Sequence, residues 1–374
     1  MPNEPVNNDN IEKVLGFVGG NPSRAKRIVL KNNGIKQRYY ALDPQTRMAT
    51  HTNAQLTAEA IKRLFVDDKD QKAINSVECI VTGTTTPDQL APNHGVMVHG
   101  ELGTDPCEVI ATSGICLSGM TALKYAYLAI KSGEHSVAVA TGSEVVSPML
   151  THNNFEAESR LKIEALEARP EIAFEKDFLR WMLSDGAGAF LLTSTPNVSL
   201  DQLSLKIEWL EIVSYANEQP ACMYIGATKK SSGDLIGWAS HSPQEWLGES
   251  VLAIKQDVRQ LNEKIVPLTF TQTLERLIEK RALVADEIDY FLPHISSMYF
   301  YHKVQDAMIE MGFHIPEDKW FTNLTTKGNT GSASIYIMLN ELIESGRLKS
   351  GNKVLCFIPE SGRFSSSFML LTVL

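Results

Sequence analysis

The sequence predicts an α/β protein built from two similar halves. Three observations lead there. Strand-like apolar runs alternate with helix-period segments along the chain. The alternation occurs twice, in halves of similar composition. Each half also sets a chemistry-bearing residue at a strand end: Cys116 in the first and His294 in the second. A chain of 374 residues has room for two domain-sized units. The halves are placed at residues 1–200 and 201–374.

In the first half, residues 77–83 (VECIVTG) read as a strand that ends in the turn-rich TTTPD. Residues 108–112 (EVIAT) read as a short buried strand. Leu117, Met120, Leu123, Tyr127 and Ile130 repeat at helical spacing, and Gly133 is the expected stop. Residues 136–142 and 187–193 are the next strands, the latter entered through Asp185-Gly186. Residues 151–183 are charge-rich and form a helical insertion broken at Pro170. It reads either as a solvated surface helix or as a lid or interface element over a pocket.

In the second half, residues 205–213 form a strand, and 250–266 and 270–283 read as helical. Residues 290–292 are a short strand that opens onto Pro293-His294. Residues 297–311 are helical, and so are 331–344 after a Gly-bounded turn. Residues 352–358 and 368–373 close the sheet.

Composition narrows the function. Hydrophobic residues make up 43% and charged residues 21%, ordinary for a globular protein. The net charge of −9 argues against nucleic-acid binding, which concentrates positive charge. No apolar run approaches the roughly 18 residues of a membrane span, and the polar start lacks a signal pattern, so a cytoplasmic protein is expected. The cysteines are Cys79, Cys107, Cys116, Cys222 and Cys356. Their odd number and the lack of CxxC pairs argue against a disulfide framework or a zinc cluster, and no metal is expected.

Cys116 lies in ATSGICLSGMTAL, between a strand and a helix. Free N–H groups and the positive helix end are expected to favour its thiolate, the nucleophilic form. The flanking Ser-Gly pairs allow a tight turn and close approach of a substrate. The other four cysteines read as packing residues. His294, in FLPHISS, stands at a strand end before a helix; His94, His99, His152 and His241 compete with it on position alone. Asn329, in KGNTGSAS, is a turn residue whose amide can also hold a carbonyl oxygen. All three occupy junctions of the kind where open α/β sheets bind ligands.

The order Cys, PHxxS, GNTGSAS resembles the ketoacyl synthase III branch of the thiolase superfamily. The resemblance runs through TGTTTPD, SGICLSG, LSDGAGAFLL, FLPHISS, KGNTGSAS and the terminal ESGRFSSSF. More narrowly, NGIKQRYYA and THTNAQL resemble the ketosynthase/cyclases that build dialkylcyclohexanediones, precursors of dialkylresorcinols and stilbene-like compounds. The resemblance implies a duplicated five-layer αβαβα fold and a homodimer. Cys116 would take an acyl group from a thioester. His294 and Asn329 would hydrogen-bond the oxygen of the second substrate as its enolate forms. The backbone N–H groups of Cys116 and Gly362 would make a second oxyanion hole. A Claisen condensation follows, and in the narrower family a Michael ring closure. Substrates arrive on the phosphopantetheine of acyl carrier protein or coenzyme A, with no further cofactor. An acidic carrier needs a basic patch, for which Lys26, Arg27, Lys31, Lys36 and Arg38 are candidates, although a solvated N-terminal face is the first explanation of these charges.

The chain departs from the family near its end. Glu360-Ser361-Gly362-Arg363-Phe364 stands where the simple synthases have a glycine-rich run. Arg363 is read as a cation near Cys116 that orients a substrate oxygen or Glu360. Three rival readings are weighed. An α/β-hydrolase needs Gly-x-Nuc-x-Gly, which Ser118 breaks. A non-catalytic acyl-binding subunit would be expected to lack the nucleophile. An initiating β-ketoacyl-acyl carrier protein synthase III would give an open-chain product.

Overall fold

A computed structural model describes residues 1–23, 26–66, 72–156, 178–196 and 203–374. Two four-stranded sheets carry the fold. Their strands are numbered β1–β8, and the helices packed on them α1–α6.

The first sheet holds β1 (Cys79–Thr84), β2 (Glu108–Ser113), β3 (Val137–Glu144) and β4 (Gly186–Thr193), in the order β2-β1-β3-β4. β1 runs parallel to both β2 and β3, and β4 is antiparallel to β3. Every residue of β1 is buried, as expected of a central parallel strand covered on both faces. The second sheet holds β5 (Leu205–Ser214), β6 (Tyr290–Pro293), β7 (Lys353–Glu360) and β8 (Ser365–Val373), in the order β6-β7-β8-β5. β6 and β7 are parallel, and β8 is antiparallel to β7 and β5.

Helices lie between and outside the sheets. α1 (Asn53–Lys62) begins in a capping box made by Thr52 and Gln55. α1 and α2 (His94–Leu102) cover the outer face of the first sheet through Ala54, Ile61, Val98 and Ile80. α3 (Ser118–Ser132) ends at Gly133, whose left-handed φ of 80° caps the helix where the sequence places its stop. α3 and α6 (Ser334–Glu344) form the central layer. Leu123, Met338 and Leu339 pack there in one core with Val81 and Ala140 of the first sheet and Val354 and Met369 of the second. α4 (Thr273–Arg281) and α5 (Met298–Glu310) cover the far face of the second sheet. The layers are therefore helix, sheet, helix, sheet, helix, as the resemblance implies.

The two halves match element by element. β1, α2, β2, α3, β3, β4 in the first correspond to β6, α5, a parallel bridge from Phe291 to Trp320, α6, β7, β8 in the second. Cys116 and Asn329 stand just before the paired central helices α3 and α6, so they occupy equivalent places in the duplication.

One expectation is corrected. Residues 250–257 are not helical: Ser250 has φ 44°, and Lys255–Gln256 pairs as a strand with Met223–Tyr224. The helix there runs only over Val258–Lys264, capped by the Asp257 side chain, before a more loosely wound segment at Ile265–Gln272. Of the predicted insertion at 151–183, residues 157–177 lie outside the described residues. Among the described residues, no helix is long and apolar enough to cross a membrane.

Candidate active site

The site lies where the carboxyl ends of both sheets meet. Glycine permits that meeting. A Cβ on Gly142 of β3 would come 2.1 Å from the Ser332 carbonyl oxygen, and one on Gly119 of α3 would come 2.3 Å from it. Gly119 thus serves contact between the halves, not the approach of substrate as its Ser-Gly context suggested.

Cys116 sits in a tight turn ahead of α3. The Ser118 hydroxyl and N–H both donate to the Ile115 carbonyl, at 2.7 and 3.1 Å. The thiol is half-buried and lines a cavity with Glu144, Met182, Gln256, Asn329 and Ser361. Burial, with Glu144 and then Glu360 nearby, pushes the thiol well above its ordinary range. This corrects the expectation of a resting thiolate. Burial first, and the two carboxyl groups after it, outweigh the helix end and favour the protonated thiol.

Asn329 reaches the same cavity. Its N–H donates to the Met182 carbonyl at 3.0 Å, and its carbonyl accepts from Ser184 N–H at 2.8 Å. Its side-chain Oδ1 accepts from Gly331 N–H at 3.0 Å. Because Oδ1 is held inward, the Nδ2 group is the end available to a ligand oxygen.

His294 follows the last residue of β6 and continues its ladder, donating from its N–H to the Phe357 carbonyl at 2.8 Å. The ring is 2% exposed. Nδ1 lies 2.8 Å from the Ser334 hydroxyl, while the buried Nε2 has no protein partner. Burial lowers its pKa to about 4, so the imidazole is neutral near pH 7. In the neutral tautomer that carries its proton on Nε2, Nδ1 accepts from the Ser334 hydroxyl and Nε2 is a donor. Ser334 opens α6, five residues beyond Asn329, so one turn and one helix orient both groups.

Glu144, at the end of β3, escaped the sequence reading. It is 5% exposed and ties three segments together. It accepts from the Thr85 hydroxyl at 2.6 Å, the Thr86 hydroxyl at 2.8 Å, and the Ser332 hydroxyl and N–H at 2.8 and 3.3 Å. Burial raises its pKa, against these donors. The signal that was passed over is an acidic residue ending an otherwise small and apolar strand, VAVATGSE.

The terminal motif differs from expectation. Gly362 N–H donates to Glu360 Oε1 at 2.5 Å, so in this state it is not free for an oxyanion. Glu360 is 8% exposed, accepts also from Ser365 N–H, and has its pKa raised by burial. Arg363 turns outward: it is exposed, donates from Nε to the Gln219 carbonyl at 2.9 Å, and lines a separate groove with Pro220 and Asp234. Its expected place beside Cys116 is therefore corrected. Of the expected basic patch, Arg27, Lys31 and Lys36 are exposed, while two members are engaged elsewhere. Arg38 is wholly buried, donating to Asn8 Oδ1 and the Trp181 carbonyl, and Lys26 pairs with Glu12 at 3.1 Å.

Comparison with known proteins agrees with this geometry. Residues 278–361 match the family described as 3-oxoacyl-[acyl-carrier-protein (ACP)] synthase III C terminal, and residues 41–176 match the thiolase N-terminal domain. A β-ketoacyl-[acyl-carrier-protein] synthase III of Clostridium perfringens is 25% identical over 325 residues, 86% of this chain and 83% of that protein. One from Neisseria gonorrhoeae is 24% identical over 95% of this chain and 91% of its own length. Among solved structures, a tetronic acid condensing enzyme superposes with a TM-score of 0.73 at 18% identity, over 100% of this chain and 97% of that one. OleA of Xanthomonas campestris, solved with lauric acid and lauroyl-CoA, gives 0.71 at 17%, over 99% and 96%. The duplicated layers, the two family matches and the run of synthase relatives together give this chain a thiolase-like fold and make it an acyl-transferring condensing enzyme similar to the β-ketoacyl synthases III.

Proposed function

We propose that the chain catalyses a Claisen condensation through an acyl group held on Cys116. The observation that carries this reading is that Cys116 and Asn329 line one cavity, while His294, at the end of β6, is held through Nδ1 by Ser334 of α6 and keeps a buried Nε2 without a protein partner. In the first half-reaction the Cys116 sulfur attacks the thioester carbonyl carbon. The carrier leaves as a thiol, and the Cys116 proton balances its charge. In the second, the α-carbon of the other thioester loses CO2 from a 2-carboxyl group, or a proton to a buried carboxylate such as Glu360, and the electron pair left behind forms an enolate with negative charge on its carbonyl oxygen. Neutral donors fixed in place stabilise that charge without reorganisation, and loss of one typically costs ~10²–10³ in rate. The enolate carbon attacks the acyl carbon, the C–S bond to Cys116 breaks, and the thiolate departs.

The substrates fit thioesters of acyl carrier protein or coenzyme A. Support comes from the relatives' names, which specify an acyl-carrier-protein synthase. The reading includes a homodimer. β2 forms the outer edge of the first sheet, and α3 beside it exposes Tyr125 and Leu128.

A second reading adds ring closure to the condensation. It is favoured by Glu360, a buried carboxyl close enough to raise the Cys116 pKa and inclined to hold a proton. Such a group can give or accept the proton that a second enolate step requires. Incubation with a 2-unsaturated acyl thioester and a β-ketoacyl thioester separates the outcomes. A cyclohexanedione supports ring closure, and an open-chain β-ketoacyl product supports an initiating synthase. Absence of any acyl adduct would leave only a binding subunit and refute the proposal.

A further inference from the structure

At the end of the first sheet opposite Cys116, three donors of different chemistry converge. Cys79 opens β1 and Glu108 opens β2, and the two are register partners on adjacent parallel strands. His135 lies two residues before β3, whose Ala138 pairs with Cys79 on the other side. Parallel neighbours that start level with one another bring these side chains to one edge. The Cys79 sulfur, a Glu108 carboxylate oxygen and a His135 ring nitrogen all lie within 4.8 Å of one another.

Each group is also held from behind. His135 Nε2 meets Glu108 Oε2 at 2.6 Å, while its Nδ1 lies 3.7 Å from Glu78 Oε2. The Tyr125 hydroxyl donates to Glu108 Oε1 at 2.9 Å, leaving Oε2 turned toward the cluster. A carboxylate behind a ligating imidazole and a hydroxyl behind a ligating carboxylate are the usual outer contacts of a metal site. The Tyr125 bond leaves Glu108 Oε2 facing inward, and Glu78, beyond hydrogen-bond distance, lies on the Nδ1 side of the His135 ring.

We propose that Cys79, Glu108 and His135 bind Zn²⁺, with water as the fourth ligand. The donor set of sulfur, nitrogen and oxygen suits this borderline-soft ion. Bonds of about 2.0–2.3 Å in a tetrahedral centre put ligand atoms roughly 3.3–3.6 Å apart. The His135–Glu108 contact has to open, and the longer separations have to close, within the reach of side-chain rotation. Zn²⁺ takes the place of the proton between His135 Nε2 and Glu108 Oε2, and the Cys79 thiol releases its proton to solvent. Cys79 is wholly buried, whereas Glu108 and His135 are partly exposed and give the ion a way in. The site faces away from the catalytic cavity, so it acts on the first sheet and not on the reacting atoms.

Cobalt is the probe. The full-length protein, stripped with chelator and given one equivalent of Co²⁺, should show a thiolate-to-cobalt charge-transfer band that Zn²⁺ abolishes by competition. Cys79→Ser should lose the band, and Cys116→Ala should keep it. His135→Gln, at a partly exposed side chain, tests the site without opening the core and should weaken zinc binding by ~100-fold or more. Glu78→Gln should weaken it by ~10–100-fold. Absence of the band in the wild-type protein, its persistence in Cys79→Ser, or its loss in Cys116→Ala would each overturn the proposal.

Discussion

The division of labour among Cys116, His294 and Asn329 makes predictions residue by residue. Cys116→Ala should abolish both acyl loading and condensation, read by intact mass and product formation. His294→Ala and Asn329→Ala should each lower condensation by ~10²–10³ while leaving loading closer to wild type. Equal loss at both steps would contradict the separate roles. The imidazole adds a pH signature. Its folded pKa is about 4, below the ordinary 6.5. Between those values the unfolded chain binds a proton that the folded chain refuses. The stability that depends on neutral His294 is therefore full above about pH 6.5 and is lost as pH falls toward 4. The stability difference between wild type and His294→Asn should shift in favour of the variant as pH drops from 7 to 5. A difference independent of pH would show that the ring is not held neutral by burial.

Elements decide whether those residues meet. The turn from Gly331 to Ala333, ahead of α6, is seated on the first half by Glu144 and by two bare glycine surfaces. Glu144→Ala would leave the Thr85 and Thr86 hydroxyls without their shared acceptor, costing about 1–3 kcal/mol for each group left unsatisfied. Condensation should fall more than loading, because Asn329 rides on that turn. Gly142→Ala would force a methyl against the Ser332 carbonyl. Overpacking of this kind costs typically about 1–3 kcal/mol, seen as a lower urea midpoint. An unchanged midpoint would mean that the halves are not in close contact there. Elements were also where the sequence was most readable. The strand at β1 and the helix α3 with its Gly133 stop follow from local period and capping. Residues 250–257 carried apolar residues at helical spacing yet pair as a strand, because their partner Met223–Tyr224 lies far back in the chain. Cys116, His294 and Asn329 were legible because each interrupts a regular element at its end. Glu144 and Arg363 were harder to read: the clamp of one and the outward turn of the other depend on contacts across long sequence separations.

At the scale of the whole molecule, duplication explains why one half supplies the nucleophile and the other the donors. Two copies of one unit, packed through α3 and α6, bring the loops before those helices to the same side of the molecule. Cys116 stands on one of those loops and Asn329 on the other. The same architecture leaves the outer edge of β2 open to a second copy. Light scattering should give about twice 41.4 kDa, and a mass of one chain at micromolar concentration would contradict the dimer. The most direct measurement is peptide mapping after incubation with an acyl thioester. The added acyl mass should fall on the peptide that contains Cys116 and vanish in Cys116→Ala. Acylation at any other side chain would contradict the account.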